Sequence, residues 1–227
     1  MKKNESTSRR NFIGALAVGA TAGMYAIPSP LFGGNASSEM AEDDPDAWFN
    51  KIRGKHRIVF DCTRPHEIFP FAWPRVFLMT NDHTGTPEKE CGVVVVLRHD
   101  AIPYAFEDKL WQAYRFGEMF KADDPLTKAP ATRNPFMKPK TGDFSVPGIG
   151  NVAIGINELQ ESGVMFCVCD AAITVYTAVA AGNLKKDPAE VKKEWLGSLL
   201  PGIQVVPSGV WAVGRAQEKG CGYCFAG

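Results

Sequence analysis

Six cysteines, Cys62, Cys91, Cys167, Cys169, Cys221 and Cys224, are the residues of this chain best suited to chemistry. Cys167 and Cys169 stand two apart in Val164-Met165-Phe166-Cys167-Val168-Cys169, a run that reads as a buried strand. On a strand their side chains share one face, with α-carbons about 6.5 Å apart and parallel Cβ vectors. That spacing is near the limit for a disulfide and the vectors are poorly aimed, so the pair reads as two thiols or two metal ligands. Cys169 is followed by Asp170-Ala171-Ala172-Ile173, a helix start. A thiol there meets backbone N–H groups and the positive end of a helix dipole, which favours thiolate, the form that attacks sulfur or binds metal. The adjacent Asp170 carboxylate opposes this. The blander reading of Cys169 is a buried structural cysteine packed against the helix.

Cys221-Gly222-Tyr223-Cys224 is a lone C-x-x-C on a segment that reads as a last strand, where residues three apart face opposite ways. Together with Cys167 and Cys169 it would supply four thiolates for zinc or a soft ion such as Cu(I). A bridge between Cys221 and Cys224 is the alternative if Gly222 bends the chain. Among the histidines, His99 (followed by Asp100) comes just after a strong strand, with His66 and His83 also near loops. A lone His needs a partner before it counts as a catalyst. No Gly-rich phosphate loop, His-Glu-x-x-His or Gly-x-Ser-x-Gly motif is present, which argues against the familiar nucleotide and hydrolase chemistries.

The elements that must position these groups alternate. His56–Cys62, Gly92–Leu97, Val164–Cys169, Ile203–Val206 and Cys221–Phe225 read as strands, and Gly92–Leu97 lacks the polar alternation of a half-exposed strand. Helices are expected over Val76–Asn81, after a Pro-broken aromatic stretch from Phe69 to Trp73. Further helices are expected over Phe106–Phe120, 151–162, Ala171–Ala181, Pro188–Leu200 and Ser208–Lys219, the last with Ser208 as N-cap. Residues 121–150 are rich in Pro and Gly, with Lys128, Arg133, Lys138 and Lys140, and form a long loop of the kind that serves a site or an interface. Trp48, Trp73, Trp111, Trp195 and Trp211 read as core or subunit-contact residues rather than a ligand cage. The pattern predicts an α/β three-layer sandwich around a mainly parallel sheet of about five strands. Ligands of such sheets meet the carboxyl ends of the strands, which would put Cys62, His99 and Cys169 at one rim.

Residues 1–36 stand apart. Ser8-Arg9-Arg10-Asn11-Phe12-Ile13-Gly14, then a Gly- and Ala-rich apolar run and small residues at Gly34 and Ala36, is similar to a twin-arginine export signal. The run is short of the roughly 20 apolar residues of a membrane anchor. Export to the periplasm is therefore expected, with an acidic lead-in at 37–54 and one α/β domain at 55–227. The first 36 residues hold four basic groups and one acidic, so the formal net charge of +0 becomes about −3 for the rest. That excludes a dominant polyphosphate-binding field, and nucleic acid is not an expected partner. No membrane span is expected in the mature protein.

Gly163 to Ala172, followed by Val205-Val206-Pro207-Ser208-Gly209-Val210 and a helix through Gln217, resembles the DsrE/DsrF-like family over about residues 55–226. The resemblance implies a small α/β protein of sulfur oxidation or sulfur relay, in which a Cys at the end of this strand carries a persulfide. That position is Cys169. By the same resemblance a homo-oligomer (trimer or hexamer) and a sulfur donor or acceptor protein are expected partners, and no cofactor is expected. Cys167 would then be a resolving or supporting thiol and His99 a proton partner. The export signal, the 121–150 insert, Cys167 and Asp170 depart from the relay members. The competing expectations are a zinc- or copper-binding oligomeric module using Cys167, Cys169, Cys221 and Cys224, and a thiol–disulfide redox protein.

Overall fold

The structure, a computed structural model, describes residues 45–227. The expected export signal and the start of the acidic lead-in lie outside the described residues. The strands, in chain order, are β1 (His56–Cys62), β2 (Cys91–Leu97), the short β3 (Ser145–Val146) and β4 (Gly150–Asn151), β5 (Met165–Cys169), β6 (Ile203–Val206) and β7 (Gly222–Phe225). The helices are α1 (Pro45–Trp48), α2 (Phe69–His83), α3 (Asp108–Ala113), α4 (Phe116–Met119), α5 (Ile156–Glu161), α6 (Asp170–Leu184), α7 (Pro188–Leu196) and α8 (Gly209–Glu218). Five strands form one sheet in the order β6-β5-β2-β1-β7, and every pair is parallel. β3 and β4 make a separate antiparallel hairpin.

The sheet is the middle of a three-layer α/β sandwich. β2 sits at its centre with all seven residues buried, as a strand covered on both faces requires. On one face Phe60, Val93, Val95, Leu97, Phe166 and Val168 pack under α2, α3, α4, α6 and α7. On the other, Val59, Val94, Val96, Cys167 and Val206 meet Ala212 and Ala216 of α8 and the segment carrying Trp48, Phe49 and Ile52. The folded unit therefore takes in the last residues of the expected acidic lead-in.

Several elements differ from the sequence expectation, each for a physical reason. The Pro-broken aromatic stretch is the first half of α2, which runs through to His83. Pro70 lies in the first turn, where its missing N–H costs nothing. Pro74 lies inside and leaves the Pro70 carbonyl without a helical partner; the Cys62 thiol donates to that carbonyl at 3.9 Å. The expected helix over Phe106–Phe120 is two short helices, broken at Arg115 with φ +52°. Trp111 and Phe116 are both fully buried, and five residues apart on one unbroken helix they would point about 140° apart. α5 is confined to Ile156–Glu161, because Val152 instead donates its backbone N–H to Phe144 at 3.0 Å. α7 stops at Leu196, and the chain then bridges Leu199 to Phe106.

The long 121–150 segment is packed, not open. Phe136 and Phe144 are buried and stack on each other at 5.3 Å, and Phe136 stacks on Phe71 at 4.1 Å. Asn134, fully buried, is its peg: Nδ2 donates to the carbonyls of Tyr104 (2.9 Å) and Phe106 (3.0 Å), while Oδ1 accepts from Phe136 N–H (3.1 Å). Asn134→Ala leaves two buried carbonyls and one N–H unsatisfied. It should lower the unfolding free energy by about 3 kcal/mol in chemical denaturation, and Asn134→Asp, which keeps only the acceptor, should not restore it.

Candidate functional site

Parallel strands bring all their carboxyl ends to one edge, where Cys62, Leu97, Cys169, Val206 and Phe225 close the five strands. Cys169 is at once the last residue of β5 and the N-cap of α6, with an extended backbone (φ −76°, ψ 110°) and 7% exposure. Its sulfur accepts a hydrogen bond from the Ala172 N–H at 3.3 Å. The other hydrogen-bonded cysteines donate instead: Cys62 to Pro70 O (3.9 Å), Cys91 to Pro87 O (3.8 Å) and Cys224 to Phe225 O (3.6 Å). An N–H aimed at sulfur suits sulfur that carries negative charge, whereas S–H donation suits the neutral thiol. The Asp170 carboxylate, the local objection to such charge, is paired with Lys192 Nζ at 2.8 Å, and Lys192 also donates to Thr174 Oγ1 at 2.9 Å.

Beside Cys169 stands a residue that sequence reasoning missed. Leu97 is in register with Val168, so the next residues along, Arg98 and Cys169, are neighbours at the edge. Arg98 reaches the Asp61 carboxylate with two bonds, Nε to Oδ1 at 2.6 Å and Nη2 to Oδ2 at 2.8 Å. Tyr223 donates its hydroxyl to the same Oδ2 at 2.9 Å. The Asp61 side chain is 3% exposed and that of Arg98 28%. The hydrogen bonds to Asp61 hold the guanidinium above its ordinary pKa, and the charges of Asp61, Tyr223 and Cys169 add to this against the opposing effect of burial. Gly209, the first residue of α8, lies against the Arg98 stem so closely that a Cβ there would sit 2.4 Å from Arg98 Cβ. The sequence does carry one signal for this group: Asp61 interrupts the apolar end of β1, and a buried carboxylate needs a partner.

His99 lies on the same rim, in a left-handed backbone conformation (φ +51°), with its side chain 65% exposed. Its Nδ1 is 3.3 Å from Asp100 Oδ2, the Tyr176 hydroxyl donates to Asp100 Oδ1, and the His99 and Tyr176 rings are 6.3 Å apart. No hydrogen bond joins His99 to Cys169 among the described residues. Cys167 is fully buried beneath α8, and burial pushes its thiol far up from the ordinary value, as it does that of Cys62. Burial also raises Cys221 and Cys224. β7 and β5 are separated by β1 and β2, three strand spacings or about 14 Å, so the structure does not bring Cys221 and Cys224 to Cys167 and Cys169. All six cysteines are free thiols, and among the described residues no three His, Cys, Asp or Glu side chains are placed to hold one metal ion. Of the five tryptophans, Trp111 and Trp195 are fully buried and Trp48 nearly so, while Trp73 is 39% exposed.

Two surface depressions lie away from this rim. One, of about 260 Å³, is lined by Trp111, Arg115 and Glu118 with Pro130–Thr132; the other, of about 550 Å³, lies by Trp48, Gly163 and Pro201. Neither is lined by Cys169 or Arg98. No described helix is long and apolar enough to cross a membrane.

Two expectations follow from this electrostatics. Arg98→Ala strands the nearly inaccessible Asp61 carboxylate and should cost about 3 kcal/mol or more. Asp61→Ala leaves a guanidinium that can turn to water and should cost clearly less, the two compared by urea denaturation. Cys62 and Cys167 stay protonated in the fold above the 9.0 at which the unfolded chain titrates. The unfolded state then binds fewer protons than the native one. Stability should therefore be full below about pH 9 and fall above it, by about 1.4 kcal/mol per pH unit for each such thiol, in unfolding curves taken from pH 7 to 11.

No family model matches this chain, and neither does any curated protein. Among solved structures it is similar to MTH1491 of Methanobacterium thermoautotrophicum, a protein of unknown function. The two are 17% identical over 75% of this chain and 98% of that one, with a TM-score of 0.40.

Proposed function

We propose that this protein is a sulfur carrier of DsrE-like type, in which Cys169 accepts a sulfane sulfur and holds it as a persulfide for a partner protein. The single observation that carries this reading is the Ala172 N–H donated to the Cys169 sulfur at the start of α6, where the terminal N–H groups and dipole of a 15-residue helix favour negative charge. In the acceptance step the Cys169 thiolate attacks the outer sulfur of a donor R–S–SH. A new S–S bond forms at Sγ, the donor's S–S bond breaks, and its electron pair leaves on RS⁻. No net oxidation occurs and no cofactor is needed. Passing the sulfur on is the same step with the partner's thiolate as nucleophile.

Cys167 has no part in this reading, since it is fully buried beneath α8. His99, held by Asp100 and exposed at the same rim, is the group able to exchange a proton with a bound donor or acceptor. The reading includes export through the twin-arginine signal, work in the periplasm and assembly as a homo-oligomer, in keeping with the resemblance of the chain to the DsrE/DsrF-like family.

The test is intact mass and peptide mapping, without reductant, of protein exposed to a small persulfide. One added sulfur on Cys169, removed by reductant, is expected; it should be absent in Cys169→Ser and present in Cys167→Ala. A map with Cys169 unmodified would sink the carrier reading, as would one with Cys169 in a bridge; a reversible bridge would favour thiol–disulfide exchange, and stoichiometric zinc or copper in untagged protein would favour the binding module.

A further inference from the structure

The Arg98 guanidinium has five N–H groups, and Asp61 takes those of Nε and one of Nη2 in a two-point clasp. Nη1 has no hydrogen-bond partner among the described residues, and the side chain remains 28% exposed. Three contacts fix where this unspent donor sits. Asp61 holds one edge of the fork, Tyr223 holds Asp61, and Gly209 lets the start of α8 close on the stem. The strand register then sets Arg98 next to Cys169, with the negative partner on the far side: β5, β2 and β1 are consecutive, and they carry Cys169, Arg98 and Asp61 in that order. The ion pair thus lies across the sheet edge, with Arg98 on the strand next to that of Cys169 and Asp61 one strand further away. A lysine in this place would spend its one ammonium on Asp61 and present no second, oriented donor.

We propose that Arg98, oriented by Asp61 and Tyr223, is the specificity-determining residue of the rim and makes Cys169 select anionic sulfane-sulfur donors over cationic ones. This rests on the carrier reading above. In the step described there, the donor's negative charge meets Nη1 as the outer sulfur approaches Cys169, and the departing RS⁻ leaves from beside the same N–H groups. Asp61 stays a carboxylate throughout and acts only by holding the fork. Tyr223 is a positioning residue in the same sense.

Two matched donors separate the possibilities: the persulfide of 3-mercaptopropionate, which carries a carboxylate, and that of cysteamine, which carries an ammonium. Both deliver sulfur by the same bond exchange, and loading of Cys169 is followed by time-resolved peptide mass. In the intact protein at low salt the carboxylate donor should load Cys169 about fivefold faster than the ammonium donor, a preference that falls in ~0.5 M salt. The double variant Asp61→Asn/Arg98→Gln keeps a hydrogen-bonding pair without the charges and should bring the ratio close to one, through a slower reaction with the carboxylate donor. Arg98→Lys retains the ion pair with Asp61 and therefore folds, yet should lose the preference as well. If both donors load Cys169 and the ratio is unchanged in both variants, Arg98 does not select the donor and the carrier reading stands without it. If neither donor loads Cys169 in the intact protein, the carrier reading itself is lost and this inference goes with it.

Discussion

A strand buried at every position cannot face water on either side, and β2 is such a strand from Cys91 to Leu97. Its backbone must be paired along both edges, by β1 and β5, and its side chains must be covered on both faces. Each of the four valines contributes about 2 kcal/mol only if that cover is complete. Complete cover on two faces is what a run of parallel strands with helical crossovers supplies. From that single constraint come the two helical layers and the all-parallel ladder. The convergence of carboxyl ends at one edge follows too.

At the rim the molecule accepts one costly feature. Asp61 is a carboxylate on a strand whose neighbouring residues belong to the cores, and it is 3% exposed. Burying such a charge is tolerable only with close, well-aimed partners, and it receives three hydrogen bonds, two from Arg98 and one from Tyr223. These come from β2's end and from β7, so one carboxylate ties three adjacent strands at the level where they stop. Gly209 belongs to the same assembly, since any larger residue at the head of α8 would push Arg98 off its partner. A similar logic governs α2: Pro74 orphans a carbonyl, and the Cys62 thiol turns to it. A cysteine that the topology places at the rim is spent on repairing a helix.

The strands were legible because their residues are. His56–Cys62 and Ile203–Val206 coincide with the structure, since dense β-branched and aromatic runs fix strand identity locally. Helix limits were less legible because tertiary demands set them. Arg115 adopts a left-handed conformation so that both Trp111 and Phe116 reach the core, and nothing local in Phe106–Phe120 requires it. The 121–150 segment has no period, yet Phe136, Phe144 and Asn134 bury themselves in it. Its packing depends on partners at Phe71, Tyr104 and Phe106 that no local window contains. At the site, Cys169 could be found because strand end and helix start adjoin in sequence. Arg98 could not be assigned, because its partners lie 37 residues before it and, through Asp61, 162 residues beyond that. Only the misplaced charge of Asp61 marked the spot.

The cysteines illustrate why spacing is a weaker guide than environment. By spacing, Cys167 and Cys169 are a pair and Cys221 and Cys224 another. In the fold each is sorted separately: Cys167 packs with the α8-side core while Cys169 joins the other layer as the chain turns into α6. Cys224 turns its thiol to a carbonyl on the edge strand. Hydrogen-bond direction sorts them most cleanly. A thiol that donates to a carbonyl gives up that bond on losing its proton, so Cys62, Cys91 and Cys224 are held as neutral thiols by their acceptors as well as by burial. A sulfur that receives an N–H keeps its bond whether it ends in a proton, a charge or a second sulfur. Cys169 alone among the hydrogen-bonded cysteines has that arrangement, and its neighbour across the sheet edge, just past the end of β2, is the arginine that holds Asp61.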